Sequence, residues 1–478
     1  MTIECKTLWP LCAVLCLLFS GCDDDVSSDT PTDSNHYAAE VPTSYSFDSN
    51  FVDGSSVSYG GQTFRHVLIS DMKAQMGNYT GRLTDGWIAA DGDVTAEMEF
   101  YLDYDGETSG DVPLLISTDP AATQSTFGEV GGGKNLLGKL AGNDATGQHK
   151  DWATEMVGWD DAAVTTPESL VRHWIATLDA QVVAWSNGDQ PMDPDGNPIA
   201  AVHVTPEGQD LQQLIQKFLL GTVAFSQGTD DYLDDDIDGK GLNSDNTEAE
   251  EGKGYTALEH GWDEGFGYFG AAQHYGDFTD EENASGYQDA NGDGSIDMLT
   301  EVNFGHSVNA AKRDKGASTD APTDFSEGAW QAFLNGRHII AQAGGALSDD
   351  DYVALQAERD TAVTNWEKAI SATVVHYIND VVQDMDAYGT EDFSYTGLAK
   401  HWSEMKGFAL SFQFNPRSPV SAEDFAAIHA AMGHGPAWPG SDEAADYRAG
   451  LLSARDMLGA AYGFDDDNMG DDNGQNGW

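Results

Sequence analysis

A mainly α-helical fold is what this sequence predicts, built as one or two helical bundles joined by long acidic loops. Three observations lead there. Apolar residues recur at helical spacing over long segments. Alternating period-two runs are scarce. Gly, Asn and Asp gather in the stretches between the periodic segments.

Taken in chain order, the first candidate helix is 62–76. The next, 165–186, opens on Thr166-Pro167-Glu168, a helix-start signal, and sets Leu170, Trp174, Leu178, Val182 and Trp185 along one stripe. Residues 206–226 repeat the pattern with Leu211, Leu214, Ile215, Phe218 and Leu219. After 326–343 comes the longest candidate, 351–386, with Trp366, Ile370, Val374, Tyr377, Ile378 and Val381 facing inward. Further candidates are 392–413, 421–432 and 442–461. The nearest approaches to strand patterning are 97–101 (EMEFY) and 201–204 (AVHV). Polar loops are expected at 103–112, 186–199, 228–254 and 276–297, with a disordered acidic tail at 465–478. A helical domain over 45–464 results, and a division into two bundles would fall in 312–324 (KRDKGASTDAPTD).

The N-terminus carries the parts of an export signal. Lys6 supplies a weak positive charge, Leu11–Phe19 is an apolar run too short to span a bilayer, and Ser20-Gly21 are small residues at a cut. Phe19-Ser20-Gly21-Cys22 resembles the lipobox of bacterial lipoproteins, with Phe19 where that family usually has Leu. The resemblance implies a signal peptide over 1–21 and lipidation at Cys22. The expected location is then the cell envelope, anchored by lipid to the outer membrane on its periplasmic or surface face. The cysteines are Cys5, Cys12, Cys16 and Cys22, so cleavage leaves no thiol for a disulfide. Residues 22–44 are acidic and rich in Ser, Thr and Pro, and read as a flexible tether.

Lys and Arg number 22 against 81 Asp and Glu, a net charge of −59. Such a surface repels nucleic acid and attracts cations. Adaptation to a salty medium explains bulk charge equally well, but not carboxylates at ligand spacing.

Two segments have that spacing. In 253–270 (KGYTALEHGWDEGFGYFG), Glu259, His260, Asp263 and Glu264 fall within six residues, and helical periodicity puts them on neighbouring faces. In 400–412 (KHWSEMKGFALSF), His401 and Glu404 stand three apart. Imidazole and carboxylate groups on facing helices are how bundles present ligands to a transition metal such as iron, so the two segments are expected to share one site lined by Trp262 and Trp402. The alternative is a hydrogen-bonded polar patch buried among aromatics. Gly261, Gly265, Gly267 and Gly270 suit close approach of a neighbouring helix or a ligand. A third feature is calcium-like: Asp289, Asn291, Asp293, Ser295 and Asp297 follow EF-hand spacing with Gly294 at the turn, although Thr300 holds the closing position and Glu301 comes one later. DDDIDG at 234–239 is a weaker relative.

KGYTALEHGWDEGFGYFGA, HWSEMKGFALSFQFNP and YSFDSNFVDGSSVSYGGQTFRHVLI resemble the bacterial lipoprotein family described as domain of unknown function 4856. That family is in turn similar to imelysin-like proteins, which are helical and associated with iron uptake. His401-x-x-Glu404 matches part of the imelysin Gly-x-His-x-x-Glu motif, without the Gly. The resemblance implies an imelysin-like bundle and an envelope protein that binds iron or an iron-bearing ligand, in contact with an outer-membrane uptake receptor or other envelope lipoproteins. The alternatives are a metal-dependent hydrolase of peptidase type, and a structural surface lipoprotein whose only ions are calcium in loops.

Overall fold

Fourteen α-helices and no β-strand occur among the described residues of the computed structural model, which are 40–131, 133–144, 148–161 and 163–478. The signal segment, Cys22 and the tether up to residue 39 lie outside them. The helices are α1 (Gly60–Thr84), α2 (Asp93–Leu102), α3 (Phe127–Val130), α4 (Pro167–Ser186), α5 (Leu211–Leu219), α6 (Ala257–Phe269) and α7 (Asp280–Ala284). They continue with α8 (Gly305–Lys315), α9 (Phe325–Ala343), α10 (Asp349–Asp386), α11 (Tyr395–Ala409), α12 (Ala422–Met432), α13 (Ala444–Tyr462) and α14 (Asp466–Met469). The mainly α class expected from periodicity is therefore what the chain adopts.

Local chemistry sets the helix starts. Thr166 accepts from the Ser169 amide and Pro167 occupies the first turn of α4, where its missing N–H costs nothing. Thr256 with Glu259 and Ser348 with Asp351 form capping boxes at α6 and α10. At 38 residues, α10 is about 57 Å long, and α8, α9, α11 and α13 pack around it. Its Trp366 is fully buried and meets Phe225, Phe269 and Phe333 at ring distances of 5.2, 5.4 and 6.4 Å. Burying such a ring contributes roughly 2–3 kcal/mol. No helix among the described residues is long and apolar enough to cross a membrane.

Several expectations need correction. EMEFY lies inside α2, where Met98, Tyr101 and Leu102 turn to the core; five residues cannot separate a period of two from one of 3.6. The helix expected over 206–226 starts at Leu211, after the Asp210 cap, and runs past 226 in π-helical turns, Leu220–Phe225 and Gly228–Tyr232. The loop foreseen from 228 therefore begins later.

The 312–324 segment is not a division between bundles. All described residues fall in one compact unit. The Asp314 carboxylate accepts the Phe325 and Ser326 amides at 2.9 and 2.7 Å, so the end of α8 caps the start of α9.

The tail is ordered, not disordered. Trp478 is buried against Phe464 and donates to the Arg313 carbonyl at 3.0 Å. Asn379, in the last third of α10, donates to the Met469 carbonyl, and Gln383 donates to that of Gly474. These partners satisfy backbone that composition alone assigned to water.

The glycines of α6 serve packing. A Cβ at Gly265 would lie 2.9 Å from Leu233, and one at Gly267 would lie 2.7 Å from Tyr59. Across the interface, Gly336 of α9 lets the Trp262 indole sit on its backbone, where Nε1 donates to the Phe333 carbonyl at 2.8 Å.

Candidate functional site

The two His/carboxylate segments do not meet in one site. Each has its own partners, from different elements.

On α6 the expected metal ligands Glu259 and Asp263 instead bind a buried guanidinium. Arg337 of α9 is fully buried. Its Nη1 donates to Glu259 and its Nε to Asp263, both at 2.9 Å, while Nη2 reaches Ser56 Oγ at 2.7 Å. Asp263 also accepts from the Tyr45 hydroxyl and the Ser58 amide, and Glu259 accepts the Thr256 amide of its own cap. Both carboxylates are committed to donors. The cluster ties residues 45–58 to α6 and α9.

His260 and Glu264 flank this cluster at the surface. His260 Nδ1 lies 3.0 Å from the Ser58 carbonyl and its ring stacks on Tyr255; Glu264 accepts from Gln62 at 2.7 Å and stands 3.8 Å from His260 Nε2. Trp262 and Trp402 are both buried and donate to main-chain carbonyls.

On α11 the surroundings differ. Glu404 is buried and faces Lys217 of α5 at 3.3 Å, with Lys400 4.0 Å from its other oxygen. Burial opposes its ionisation, but Lys217, Lys400 and Lys73 outweigh that and hold the carboxyl below its usual range. One turn away, His401 points at α10. Its Nδ1 is 2.7 Å from Asp384 and its Nε2 is 3.9 Å from Asp380 Oδ2; His376 Nε2 approaches the same Asp380 oxygen at 3.3 Å. Burial works against charge on His401, but the bond to Asp384 and the charges of Asp384 and Asp380 raise its pKa. Burial, helped by Arg313, pushes His376 down to about 4. All four side chains keep between 22 and 28% of their surface exposed, so an ion from solvent can reach them.

His376, Asp380 and Asp384 were not singled out from sequence. Their i, i+4, i+8 spacing in HYINDVVQD was the available signal, but only the packing of α11 on α10 brings His401 to them. Among the described residues, no group of three or more His, Cys, Asp or Glu side chains is already drawn together tightly enough to hold a metal.

The loop at Asp289 is held by its own side chains. Asp289 accepts the Asp293 and Gly294 amides, Asn291 also accepts that of Asp293, and Asp293 accepts both the amide and hydroxyl of Ser295. Asp297 takes Gln124 and the Leu299 amide. Glu301 turns inward to the Ala290, Asn291 and Asp297 amides. Gly292 and Gly294 have φ of +70° and +85°, which only residues without a Cβ adopt readily. In DDDIDG the first two acids are structural: Asp234 binds Arg417 at 2.7 Å, and Asp235 binds Gln356 and Arg359.

The fold and its sites define a mainly helical, strongly acidic chain whose polar clusters lie between packed helices. Residues 192–427 match the family described as Domain of unknown function (DUF4856). That span holds α5 to α11, and with them both His/carboxylate segments and the Asp289 loop. No curated protein and no solved structure matches the chain.

Proposed function

We propose that this chain is a lipid-anchored cell-envelope protein that captures a transition-metal cation, iron first, at His376, Asp380 and His401. One observation carries the reading: a single oxygen of Asp380 faces two imidazole Nε2 atoms, at 3.3 and 3.9 Å, while Asp384 holds the far nitrogen of His401 at 2.7 Å. With Nδ1–H donating to Asp384, His401 turns the lone pair of Nε2 toward Asp380. Two lone pairs facing each other are favourable only with a proton or a metal ion between them. A carboxylate behind a ligating histidine is also how metal sites fix the tautomer and raise ligand basicity. Metal–ligand bonds of about 2.0–2.2 Å put neighbouring donors roughly 3 Å apart, so binding needs His401, now 3.9 Å from the Asp380 oxygen, to close on it by about 1 Å. The choice of iron rests on the likeness of His401-x-x-Glu404 to the imelysin motif, and the envelope location on the lipobox-like segment at Cys22.

Metal analysis and titration of the purified chain test the reading. His376→Ala and His401→Ala are each expected to abolish stoichiometric iron binding with helical circular dichroism unchanged. His260→Ala should leave it intact, since His260 has separate partners. Binding should weaken as pH falls, because His401 must lose its proton and Asp384 raises that pKa. Wild-type binding in both histidine variants would remove the site.

A second cation, calcium, is proposed at Asp289, Asn291, Asp293, Ser295 and Asp297. The observation favouring it is that Glu301 already draws the loop closed from behind.

A further inference from the structure

A cavity of about 420 Å³ opens between α10, residues 415–419 and the end of α13, away from the histidine cluster. Its size is that of a small-molecule pocket. Glu367, Lys368, Asn415, Arg417 and Tyr462 line it, with apolar walls from Val363 and Ala461. Glu367 is 1% exposed, and its two oxygens accept from Asn415 at 2.5 Å and from the Tyr462 hydroxyl at 3.1 Å.

Both of these partners are neutral, whereas Glu259, Asp263 and Glu404 each face a cationic side chain. Arg417 is held in place by Asp234 and by the Thr229 carbonyl of the π-helical turn, and its Nε is buried with no acceptor. The cavity thus offers an acid whose hydrogen-bond partners are neutral, beside Lys368 and beside Arg417, which acts on the acid only through its charge and whose Nε has no acceptor. Burial pushes the Glu367 carboxyl up to about 7. A buried acid of this kind is costly to retain on structural grounds alone, since an apolar residue would pack the same space.

We propose that this cavity binds a free amino acid with an apolar side chain, its carboxylate on Lys368 and Arg417 Nε and its ammonium on Glu367. The side chain lies on Val363 and Ala461. An arriving ammonium favours the ionised form of Glu367, so binding at neutral pH expels the part of a proton, about half, that the free carboxyl carries there.

Titration calorimetry on the purified, metal-free chain tests this with three probes: L-leucine, 4-methylpentanoate, which lacks the amine, and 3-methylbutylamine, which lacks the carboxylate. Leucine should bind about ten-fold or more tightly than either analogue, with a heat that depends on the buffer and reports proton release at pH 7. Glu367→Gln keeps the shape and removes the charge; it should bring leucine down to the affinity of 4-methylpentanoate and abolish proton release. Absence of saturable heat with leucine overturns the proposal. So do equal affinities for the three probes, or a leucine affinity unchanged in Glu367→Gln.

Discussion

Arg337 shows how a charge in the core changes the meaning of its neighbours. Its guanidinium, fully buried, answers two carboxylates that spacing alone offered as metal ligands. Removing one partner of such a cluster leaves the others unpaired in a low-dielectric interior. Arg337→Met is therefore expected to destabilise by about 3–5 kcal/mol in denaturant melts, and adding Glu259→Gln and Asp263→Asn should recover much of that. A loss below about 1 kcal/mol in the single variant would mean that the cluster is not the tie between residues 45–58 and the helices. Glu367 carries the opposite lesson, because its partners are neutral. Its folded pKa of about 7 lies above the ordinary 4.5. The stability it contributes is thus fully present below about pH 4.5 and lost as pH rises through about 7. Glu367→Gln should stabilise the chain by roughly 1–3 kcal/mol at pH 8 and change little at pH 4. Parallel pH–stability curves for the two proteins would contradict this.

At the scale of elements, the Asp289 loop is the clearest device. Its carboxylates are turned into the loop by backbone amides, and bridges Ala122↔Ile296 and Tyr287↔Val302 fix its two ends. A calcium ion bound to this arrangement stabilises the folded state by mass action, by about 2.7 kcal/mol at a hundred-fold excess over Kd. Calcium should raise the melting temperature, excess chelator should reverse the rise, and Asp293→Ala should remove it. Identical midpoints with and without calcium would make the loop a plain turn. α5 and the π turns after it show a different effect. Periodicity located the helix, while buried Thr222, Ser226, Gln227 and Asp230 mark the stretch where its turns widen, and wide turns recur near functional sites.

At the scale of the whole molecule, charge and anchoring set behaviour together. A net charge of −59 concentrates cations near the surface, and salt screens that attraction within about 8–10 Å at ordinary ionic strength. The proposed anchor at Cys22 places this field at a membrane face. Cys22→Ser is expected to leave the protein uncleaved or free of lipid, measured by fractionation and mass of the N-terminal peptide. A variant still lipidated and membrane-bound would remove the anchor from the proposal.

What the sequence by itself determined was the helical class and the course of the longest helices. Each depends on contacts within a few residues, such as the stripe from Trp366 to Val381 or the cap at Thr256. The tertiary structure alone decided which acids find cations, because that depends on residues far apart in the chain. Arg337 stands 74 residues from Asp263, and Asp384 stands 17 from His401. No spacing rule reaches across such separations. The ordered tail was hidden for the same reason: its acidic composition points to water, whereas Asn379, Gln383 and Arg313 supply partners that only packing brings near.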